Sequence, residues 1–210
     1  ELMSNIAFDA QGVCSVCRSA PASLAPLDLA ARRAALDEAL ATERAKGLRW
    51  DCVLGFSGGK DSVYALHLLV REHGARPLLV NYDNRYQTEA ARASIRTAAD
   101  AFGVDLLVFR PGAAEQGAML RALFERTGEV CFACDLEVYA LLLATAREKG
   151  LGLVVVGGGA SEGLGQSSPH RAVDVWEYAR TFLVDAPVDL GRLSVSVADF
   201  EATRLVQLGD

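Results

Sequence analysis

The sequence predicts an α/β fold with a parallel, doubly wound sheet of about five strands flanked by helices. Short apolar runs alternate along the chain with longer amphipathic runs, as expected for strands that alternate with helices. The strand runs are apolar almost throughout, which is typical of strands buried on both faces of a parallel sheet. Glycine-rich or polar stretches follow three of these runs, where such a sheet binds its ligand.

The elements follow an irregular start that ends near residue 23. Alanine-rich helical periodicity runs over 26–46, and Gly47 is the expected stop. The pattern predicts strands over 51–56, 76–83, 104–110 and 151–160, and further helices over 60–74, 88–103, 113–128, 134–150 and 172–181. Residues 182–210 are poorly specified.

Composition narrows the classes of function. The chain has 210 residues and 51% hydrophobic residues, enough for one sizeable α/β domain. Its formal net charge is −6 and its arginines are scattered among acids, so a small substrate is favoured over nucleic acid, and tRNA is a less favoured partner. No run is long enough for a membrane span and none resembles a leader, so we expect a soluble cytoplasmic protein.

The stretch "SGGKDS", residues 57–62, lies between a predicted strand and a predicted helix. Gly58 and Gly59 allow a tight turn that brings backbone N–H groups close to a ligand. The following helix adds its unpaired amides and the positive end of its dipole. Ser57 and Ser62 supply hydroxyl groups, and Lys60, one of three lysines in the chain, supplies a charge. The stretch therefore predicts an anion cradle that suits phosphates.

The spacing differs from that of the Walker A loop, because the loop is shorter and Asp61 lies inside it. "SGGKDS" instead resembles the signature of the PP-loop ATP pyrophosphatases. This resemblance implies an adenine nucleotide alpha hydrolase-like fold, ATP and Mg²⁺ as cofactors, transfer of AMP to a substrate oxygen, and release of pyrophosphate. It implies catalytic roles for Lys60 and Asp61, a metal contact by Asp61, and nucleotide binding by Gly55, Phe56, Ser57, Gly58, Gly59, Lys60, Asp61 and Ser62.

Two other stretches fit the same pocket. "NYDNRY" (81–86) ends the second strand, where PP-loop proteins hold adenosine, so Asp83 and Asn84 are expected to contact ribose or adenine. "GGGASEG" (157–163) ends the last strand, where the family has a second ATP-contacting stretch. The resemblance implies nucleotide contacts by Gly157 and Gly158, and Glu162 is a candidate Mg²⁺ ligand.

Four of the five cysteines form two CxxC pairs. This spacing indicates metal or redox chemistry in a chain without a secretory signal. "FDAQGVCSVCR" (8–18), which contains Cys14 and Cys17, resembles the N-terminal segment of N-acetyl sugar amidotransferases within the PP-loop group. In those proteins a further upstream CxxC completes a zinc knuckle. That upstream pair is absent here, and two ligands do not close a structural zinc site.

The second pair, Cys131 and Cys134 in "CFACD", resembles the CxxC of PP-loop tRNA thiolases, which holds an iron–sulfur cluster together with a later cysteine. No cysteine follows Cys134 in this sequence, and a cluster could instead use Cys14 and Cys17 if the N-terminal arm folds over the pocket. Thiolates at a helix N-terminus have a depressed pKa, which suits metal ligation and sulfur relay. Cys131 and Cys134 are therefore candidates for catalysis and for metal binding, as against buried structural thiols.

The resemblance divides the chain into a cysteine-containing arm (1–23), a PP-loop ATP pyrophosphatase domain (24–185) and a C-terminal segment of unclear role (186–210). The nucleophile that replaces AMP decides the function. Ammonia from a glutaminase partner would make the chain an amidotransferase acting on a small acceptor such as an N-acetyl sugar. A sulfur-donor partner and the second CxxC would make it a sulfur transferase. A nucleotide-binding domain without turnover is a further functional alternative. A homodimer is the expected oligomeric state.

Overall fold

The computed structural model describes residues 7–15, 17–18, 28–127, 130–158, 189–190, 193–194 and 203–208. The predicted helix over 172–181 and the candidate ligand Glu162 lie outside these residues. Of the second cysteine pair, the side chain of Cys134 is described and that of Cys131 is not.

A parallel sheet forms the centre of the described chain. Its order is β3-β2-β1-β4-β7, and each neighbouring pair is parallel. A separate two-stranded antiparallel pair, β5-β6, lies outside this sheet. The strands are β1 Cys52–Gly55, β2 Pro77–Tyr82, β3 Leu106–Phe109, β4 Leu153–Gly157, β5 Asp189–Leu190, β6 Leu193–Ser194 and β7 Arg204–Leu208.

Helices connect the strands of the sheet. Their bounds are α1 Leu29–Ala45, α2 Lys60–His67, α3 Glu89–Phe102, α4 Ala113–Thr127 and α5 Val130–Lys149, and a π-helical turn, Leu68–Glu72, extends α2. Side chains cap two of the helices, because Asp28 accepts from the Ala31 N–H at α1 and Thr88 accepts from the Ala91 N–H at α3. Gly103 ends α3 in the left-handed conformation.

Two apolar clusters cover the two faces of the sheet. One packs α5 against the face that carries Val53, Val80 and Val154. The other packs α1, α2 and α3 against the face that carries Leu54 and Leu79. Both clusters exclude water from residues of the central strands, which explains why those strands are apolar throughout. The predicted α/β class, with a parallel sheet flanked by helices, is confirmed.

Two elements differ from the sequence prediction. Helix α5 begins at Val130, four residues before the predicted start, so that both cysteines of the second CxxC lie within its first turns. The fifth strand of the sheet, β7, comes from the C-terminal segment that the sequence pattern leaves unspecified, and it pairs with β4 from Leu153 to Gly157. The chain's last described residues therefore complete the main sheet.

The order of the strands fixes where a ligand is expected. Chain order reverses at β1, which lies between β2 on one side and β4 on the other. In an open α/β sheet, ligands bind beyond the carboxyl ends of the strands at such a switch point. The stretch 57–62 follows β1 directly and therefore occupies this position. Within the part of the chain that is described, no helix is long and apolar enough to cross a membrane.

Candidate nucleotide-binding site

The loop after β1 is held by its own hydroxyl groups. The Ser57 and Ser62 hydroxyl oxygens lie 3.2 Å apart, and Ser62 also donates to the Gly59 carbonyl at 3.0 Å. The Gly59 N–H donates to Ser57 Oγ at 3.3 Å. These bonds join the start of the loop to the first turn of α2. The two serines therefore shape the loop in the absence of a ligand.

The first turn of α2 is open to an anion. Its N-cap residue is Gly59, and no side chain caps this end of the helix. Unpaired N–H groups and the positive end of the helix dipole favour negative charge at such a position. The Lys60 side chain is 87% exposed, and its Nζ lies 2.6 Å from Asp61 Oδ1. An ammonium, a carboxylate and uncapped amides therefore lie together at the switch point.

Close packing explains two of the glycines. A Cβ atom on Gly157, the last residue of β4, would lie 2.8 Å from the backbone of Asp61 and Ser62. A Cβ atom on Gly58, which has a φ of +75°, would lie 2.6 Å from the Ile95 side chain. Since real Cβ atoms do not approach backbone this closely, Gly157 allows α2 to start against the end of β4.

These residues fit the groups that the PP-loop resemblance implies. The uncapped amides and Lys60 suit a pyrophosphate group, and the exposed Asp61 carboxylate suits Mg²⁺, a hard cation with oxygen ligands. Gly157 lies against the loop, while Gly158 follows it with a φ of 140°. The nucleotide roles of the named residues stay a prediction, as does the role of Glu162.

Asp83, after β2, is a buried carboxylate surrounded by arginines. Its Oδ2 lies 3.3 Å from Arg92 Nε and 2.8 Å from Arg110 Nη2, and its Oδ1 accepts from the Arg85 N–H at 2.9 Å. Burial raises the pKa of Asp83, but the Arg85 N–H and the Arg110 and Arg92 guanidinium groups lower it below its usual range. Both carboxylate oxygens are therefore engaged within the protein.

Asn84 joins the end of β2 to the second CxxC. Its Nδ2 donates to Cys134 Sγ at 3.5 Å, its Oδ1 accepts from the Tyr86 N–H, and its carbonyl accepts from Gln116 Nε2 at 2.9 Å. Gln116 is buried on α4. A predicted nucleotide contact and a predicted sulfur or metal ligand are thus brought together at the carboxyl edge of the sheet.

One turn further along α5, Glu137 is buried against β2. The Tyr82 hydroxyl donates to Glu137 Oε2 at 2.5 Å, and Glu137 is 2% exposed. Burial raises the pKa of the Glu137 carboxyl group, and the Tyr82 hydrogen bond partly opposes that effect. Burial also raises the pKa of Tyr82. Sequence reasoning missed this pair; its signal is an acidic residue three positions after a predicted site cysteine.

The first CxxC forms a compact turn in the N-terminal arm. Phe8 and Cys14 form an antiparallel bridge, and the Cys17 N–H donates to Cys14 Sγ at 3.2 Å. Asp9 closes the turn by accepting from the Gln11 and Val13 N–H groups. A hydrogen bond with Cys14 raises the pKa of Cys17, and the negative charge of the Cys14 thiolate form raises it further. The two sulfur atoms are therefore neighbours in a fixed turn.

A complete metal centre is absent from the described residues. No group of three histidine, cysteine or acidic side chains among them is arranged to hold a metal ion. Cys14, Cys17, Cys52 and Cys134 are described without a disulfide bond, and Cys52 is buried in the core. Zinc and iron–sulfur ligation by Cys14, Cys17, Cys131 and Cys134 stays a prediction.

Fold and site together define a class. The chain is an α/β protein with a parallel sheet flanked by helices, and an uncapped helix N-terminus and a lysine lie at the switch point of that sheet.

Comparison with known proteins finds partial similarity. No family model matches the sequence. Over 73 residues the chain is 37% identical to the uncharacterized protein MJ1599 of Methanocaldococcus jannaschii, and the match spans 35% of this chain and 26% of that protein.

Three solved structures have partial similarity to this chain at low sequence identity. The NH3-dependent NAD synthetase of Campylobacter jejuni has a TM-score of 0.46 at 14% identity, over 75% of this chain and 74% of that one. The NMN synthetase of Francisella tularensis has a TM-score of 0.46 at 14% identity, over 84% and 79%. The U34-tRNA thiolase NcsA of Methanococcus maripaludis, solved with its [4Fe-4S] cluster, has a TM-score of 0.40 at 12% identity, over 60% and 46%.

Proposed function

We propose that the chain is an ATP-dependent enzyme that adenylates a carbonyl or amide oxygen of a small molecule, releases pyrophosphate, and then replaces the adenylated oxygen with ammonia. One observation carries the proposal: "SGGKDS" lies at the switch point of a parallel sheet, with an uncapped helix N-terminus and an exposed lysine. This is an arrangement that suits a pyrophosphate leaving group.

In this reaction the acceptor oxygen attacks the α-phosphorus of ATP, and the bond to the β,γ-pyrophosphate breaks. The amides of α2 and the Lys60 ammonium stabilise the charge that develops on the departing pyrophosphate. Ser57 and Ser62 keep the loop in the shape that presents these donors. Mg²⁺, held by Asp61, would neutralise phosphate charge when bound.

The second step replaces the activated oxygen. Ammonia adds to the acceptor carbon, AMP departs with the oxygen, and the nitrogen loses a proton. The observation that favours nitrogen is the N-terminal turn, in which Phe8 and Cys14 form an antiparallel bridge and the Cys17 N–H donates to Cys14 Sγ. That segment resembles the one in N-acetyl sugar amidotransferases. A glutaminase partner would supply the ammonia.

Product analysis tests the proposal. Purified protein is incubated with ATP labelled at the α-phosphate, Mg²⁺, ammonium and a panel of N-acetylated sugars and carboxylates. We expect AMP and pyrophosphate in equal amounts, formed only with an acceptor present. Formation of ADP would refute the proposal, and so would an absence of ATP binding under saturating Mg²⁺.

Thiolation is a second candidate, favoured by the position of Cys134. Its Sγ accepts from Asn84 at the carboxyl edge of the sheet, where the activated acceptor would lie. An anaerobic preparation separates the candidates: a visible iron–sulfur absorption that Cys131→Ala abolishes supports sulfur transfer. Colourless protein whose turnover requires ammonia supports amidation.

A further inference from the structure

Three arginines gather at the carboxyl ends of β2 and β3. Arg110 follows β3, Arg92 lies in the first turns of α3, and Arg85 lies in the segment after β2. The Arg110 and Arg92 side chains are 46% and 24% exposed, so both reach solvent while they contact the buried Asp83. The sequence pattern does not single out Arg92 or Arg110, because each is one of many scattered arginines.

The cluster contains more positive charge than its own carboxylates neutralise. Among the described residues, the acidic side chains that pair with these guanidinium groups are Asp83 and Glu89, and Glu89 is 93% exposed at 3.5 Å from Arg92 Nη1. An exposed pair of this kind contributes little. A protein of net charge −6 thus keeps a local positive excess at the edge of the sheet where ligands bind.

Several guanidinium N–H groups of the cluster have no hydrogen-bond acceptor among the described residues. Arg85 Nε donates to the Pro111 carbonyl at 2.9 Å, and the Nε atoms of Arg92 and Arg110 are engaged by Asp83. Among the described residues, no acceptor is found for Arg92 Nη2, Arg110 Nη1 or either Nη atom of Arg85. A guanidinium carries five N–H donors in a planar fork that matches carboxylate and phosphate oxygens.

The backbone at Arg85 is unusual. Its φ is +68°, and it is the one described non-glycine residue with a positive φ. The Asp83 carboxylate stabilises this conformation by accepting the Arg85 N–H, while the Arg85 side chain reaches the segment after β3. Left-handed non-glycine residues are uncommon and occur preferentially at functional sites.

The cluster lies beside the loop after β1. On α3, Ser94 Oγ donates to the Gly58 carbonyl at 3.4 Å, and Ile95 packs where a Cβ atom on Gly58 would lie. Arg92 is two residues before Ser94, so the same helix contacts the loop and carries part of the arginine cluster. Two sites for negative charge therefore lie side by side, one after β1 and one after β2 and β3.

We infer that Arg85, Arg92 and Arg110 form a subsite for an anionic group, a carboxylate or a phosphate, on the small-molecule acceptor. The inference rests on the proposed function, because it assigns a substrate class to the same edge of the sheet. The loop and Lys60 account for the terminal phosphates of the nucleotide, so the arginines serve a separate anion. Asp83 holds the guanidinium groups in place and is a positioning residue.

Calorimetry with the full chain tests the inference. The loop is first saturated with Mg²⁺ and α,β-methylene ATP, and inorganic phosphate and citrate are titrated separately at constant ionic strength. We expect at least one of the two anions to bind, and their relative affinities distinguish a phosphate from a carboxylate acceptor. Arg92→Gln and Arg110→Gln are each expected to weaken binding about tenfold, as for the loss of a charge-assisted hydrogen bond.

Arg96→Gln is the matched control, because Arg96 is an exposed arginine on the same helix. We expect it to leave anion affinity unchanged. If a Gln variant fails to fold, Arg110→Lys keeps the charge but loses the fork, and it is expected to weaken binding as well.

Three outcomes overturn the inference: anion affinity that is unchanged in the Arg92 and Arg110 variants, equal losses in Arg96→Gln, or binding of tRNA at these arginines with no binding of phosphate or citrate. Failure of the nucleotide analogue to bind, with anion binding intact and sensitive to Arg110, would instead refute the adenylating function and leave the anion site supported.

Discussion

Two buried aspartates lie at opposite edges of the sheet, and both are surrounded by arginines. At the amino edge, Asp51 accepts from the Arg76 N–H at 2.8 Å and from Arg76 Nη2 at 2.7 Å, with Arg44 Nε at 3.6 Å. Arg76 Nη2 also donates to the Leu48 carbonyl. At the carboxyl edge, Asp83 is shared among three arginines that retain donors without an acceptor among the described residues.

An aspartate surrounded by arginines therefore stabilises the fold at one edge of the sheet and arranges a candidate binding site at the other. Asp51, just before β1, binds both the backbone N–H and the guanidinium of Arg76, just before β2. It therefore joins β1 to β2 and stabilises the fold. Asp83 arranges arginines around an edge that also carries the loop after β1. The position relative to the direction of the strands decides which role applies, because ligands bind beyond the carboxyl ends. The following changes separate stability at one edge from function at the other.

The largest expected effect on stability is at the amino edge. Arg76→Ala leaves the Asp51 carboxylate, which is 0% exposed, with the more distant Arg44 as its nearest cation. We expect the free energy of unfolding to fall, because the buried Asp51 carboxylate loses the guanidinium of Arg76, whose side chain is 55% exposed, and keeps the backbone N–H of residue 76. Urea unfolding measures the change. Arg33→Ala, which breaks an exposed pair with Glu72, is the control and should cost less than about 0.5 kcal/mol.

A substitution at the carboxyl edge should lower enzymatic activity rather than stability. Lys60→Ala removes an ammonium that is 87% exposed and that pairs with Asp61. We expect AMP-forming turnover to fall on the order of 100-fold, because developing charge on pyrophosphate loses a partner, while the unfolding midpoint stays unchanged. Lys149→Ala is the matched control, since Lys149 pairs with Glu148 on the surface. Equal turnover in Lys60→Ala and Lys149→Ala would contradict the assignment.

A change at the carboxyl end of β4, where the start of α2 packs against the sheet, should affect both stability and nucleotide binding. Gly157→Ala places a Cβ atom 2.8 Å from the Asp61 carbonyl carbon and the Ser62 nitrogen, so the start of α2 must move away from β4. We expect a loss of stability of about 2 kcal/mol, as for an overpacked site, together with weaker nucleotide binding. Urea unfolding and calorimetry with α,β-methylene ATP measure the two effects. Gly47→Ala tests backbone strain alone, since Gly47 has a φ of +66° and nothing within 4 Å of its Cβ position.

Local sequence patterns predicted the central elements of the fold. The runs of β1 to β4 are apolar and the helices between them are periodic, so their identity follows from residues close together in the chain. The last strand, "RLVQL", was missed because a short run gains its strand conformation from pairing with β4, more than 40 residues earlier. The sequence predicts helix α5 from residue 134, whereas the helix begins at Val130 and includes the CxxC.

The candidate site divides in the same way. The loop at 57–62 was predictable because its glycines, hydroxyls and charges are contiguous. Arg92 and Arg110 were not, because they lie 18 residues apart and meet only when β2 and β3 end at the same edge of the sheet. Asp83 was predicted as a nucleotide contact, and the structure adds that both of its oxygens already bind arginines.

The smallest expected effect concerns Glu137, whose pH dependence should oppose that of the two aspartates. The pKa values of Asp51 and Asp83 are lowered, so their stabilisation is present above about pH 3.8 and is lost as the pH falls through their folded-state pKa values. The pKa of Glu137 is raised by burial, so its contribution is fully present below about pH 4.5 and is lost as the pH rises through its folded-state pKa. We expect Glu137→Gln to remove a decline in stability as the pH rises above 4.5, measured by urea unfolding from pH 4.5 to 8.

Tyr82→Phe gives the complementary test of the same pair. The Tyr82 hydrogen bond lowers the pKa of Glu137, so its loss should shift the decline in stability to higher pH without abolishing it. The aromatic ring that stacks on Phe109 is retained, so packing at the end of β2 is preserved. Identical pH profiles in the wild type, Glu137→Gln and Tyr82→Phe would show that the Glu137 carboxyl is ionised and solvated. The ionised Glu137 carboxylate would then add one negative charge at the carboxyl edge. The excess of positive charge that distinguishes this edge from the amino edge would be smaller by one charge.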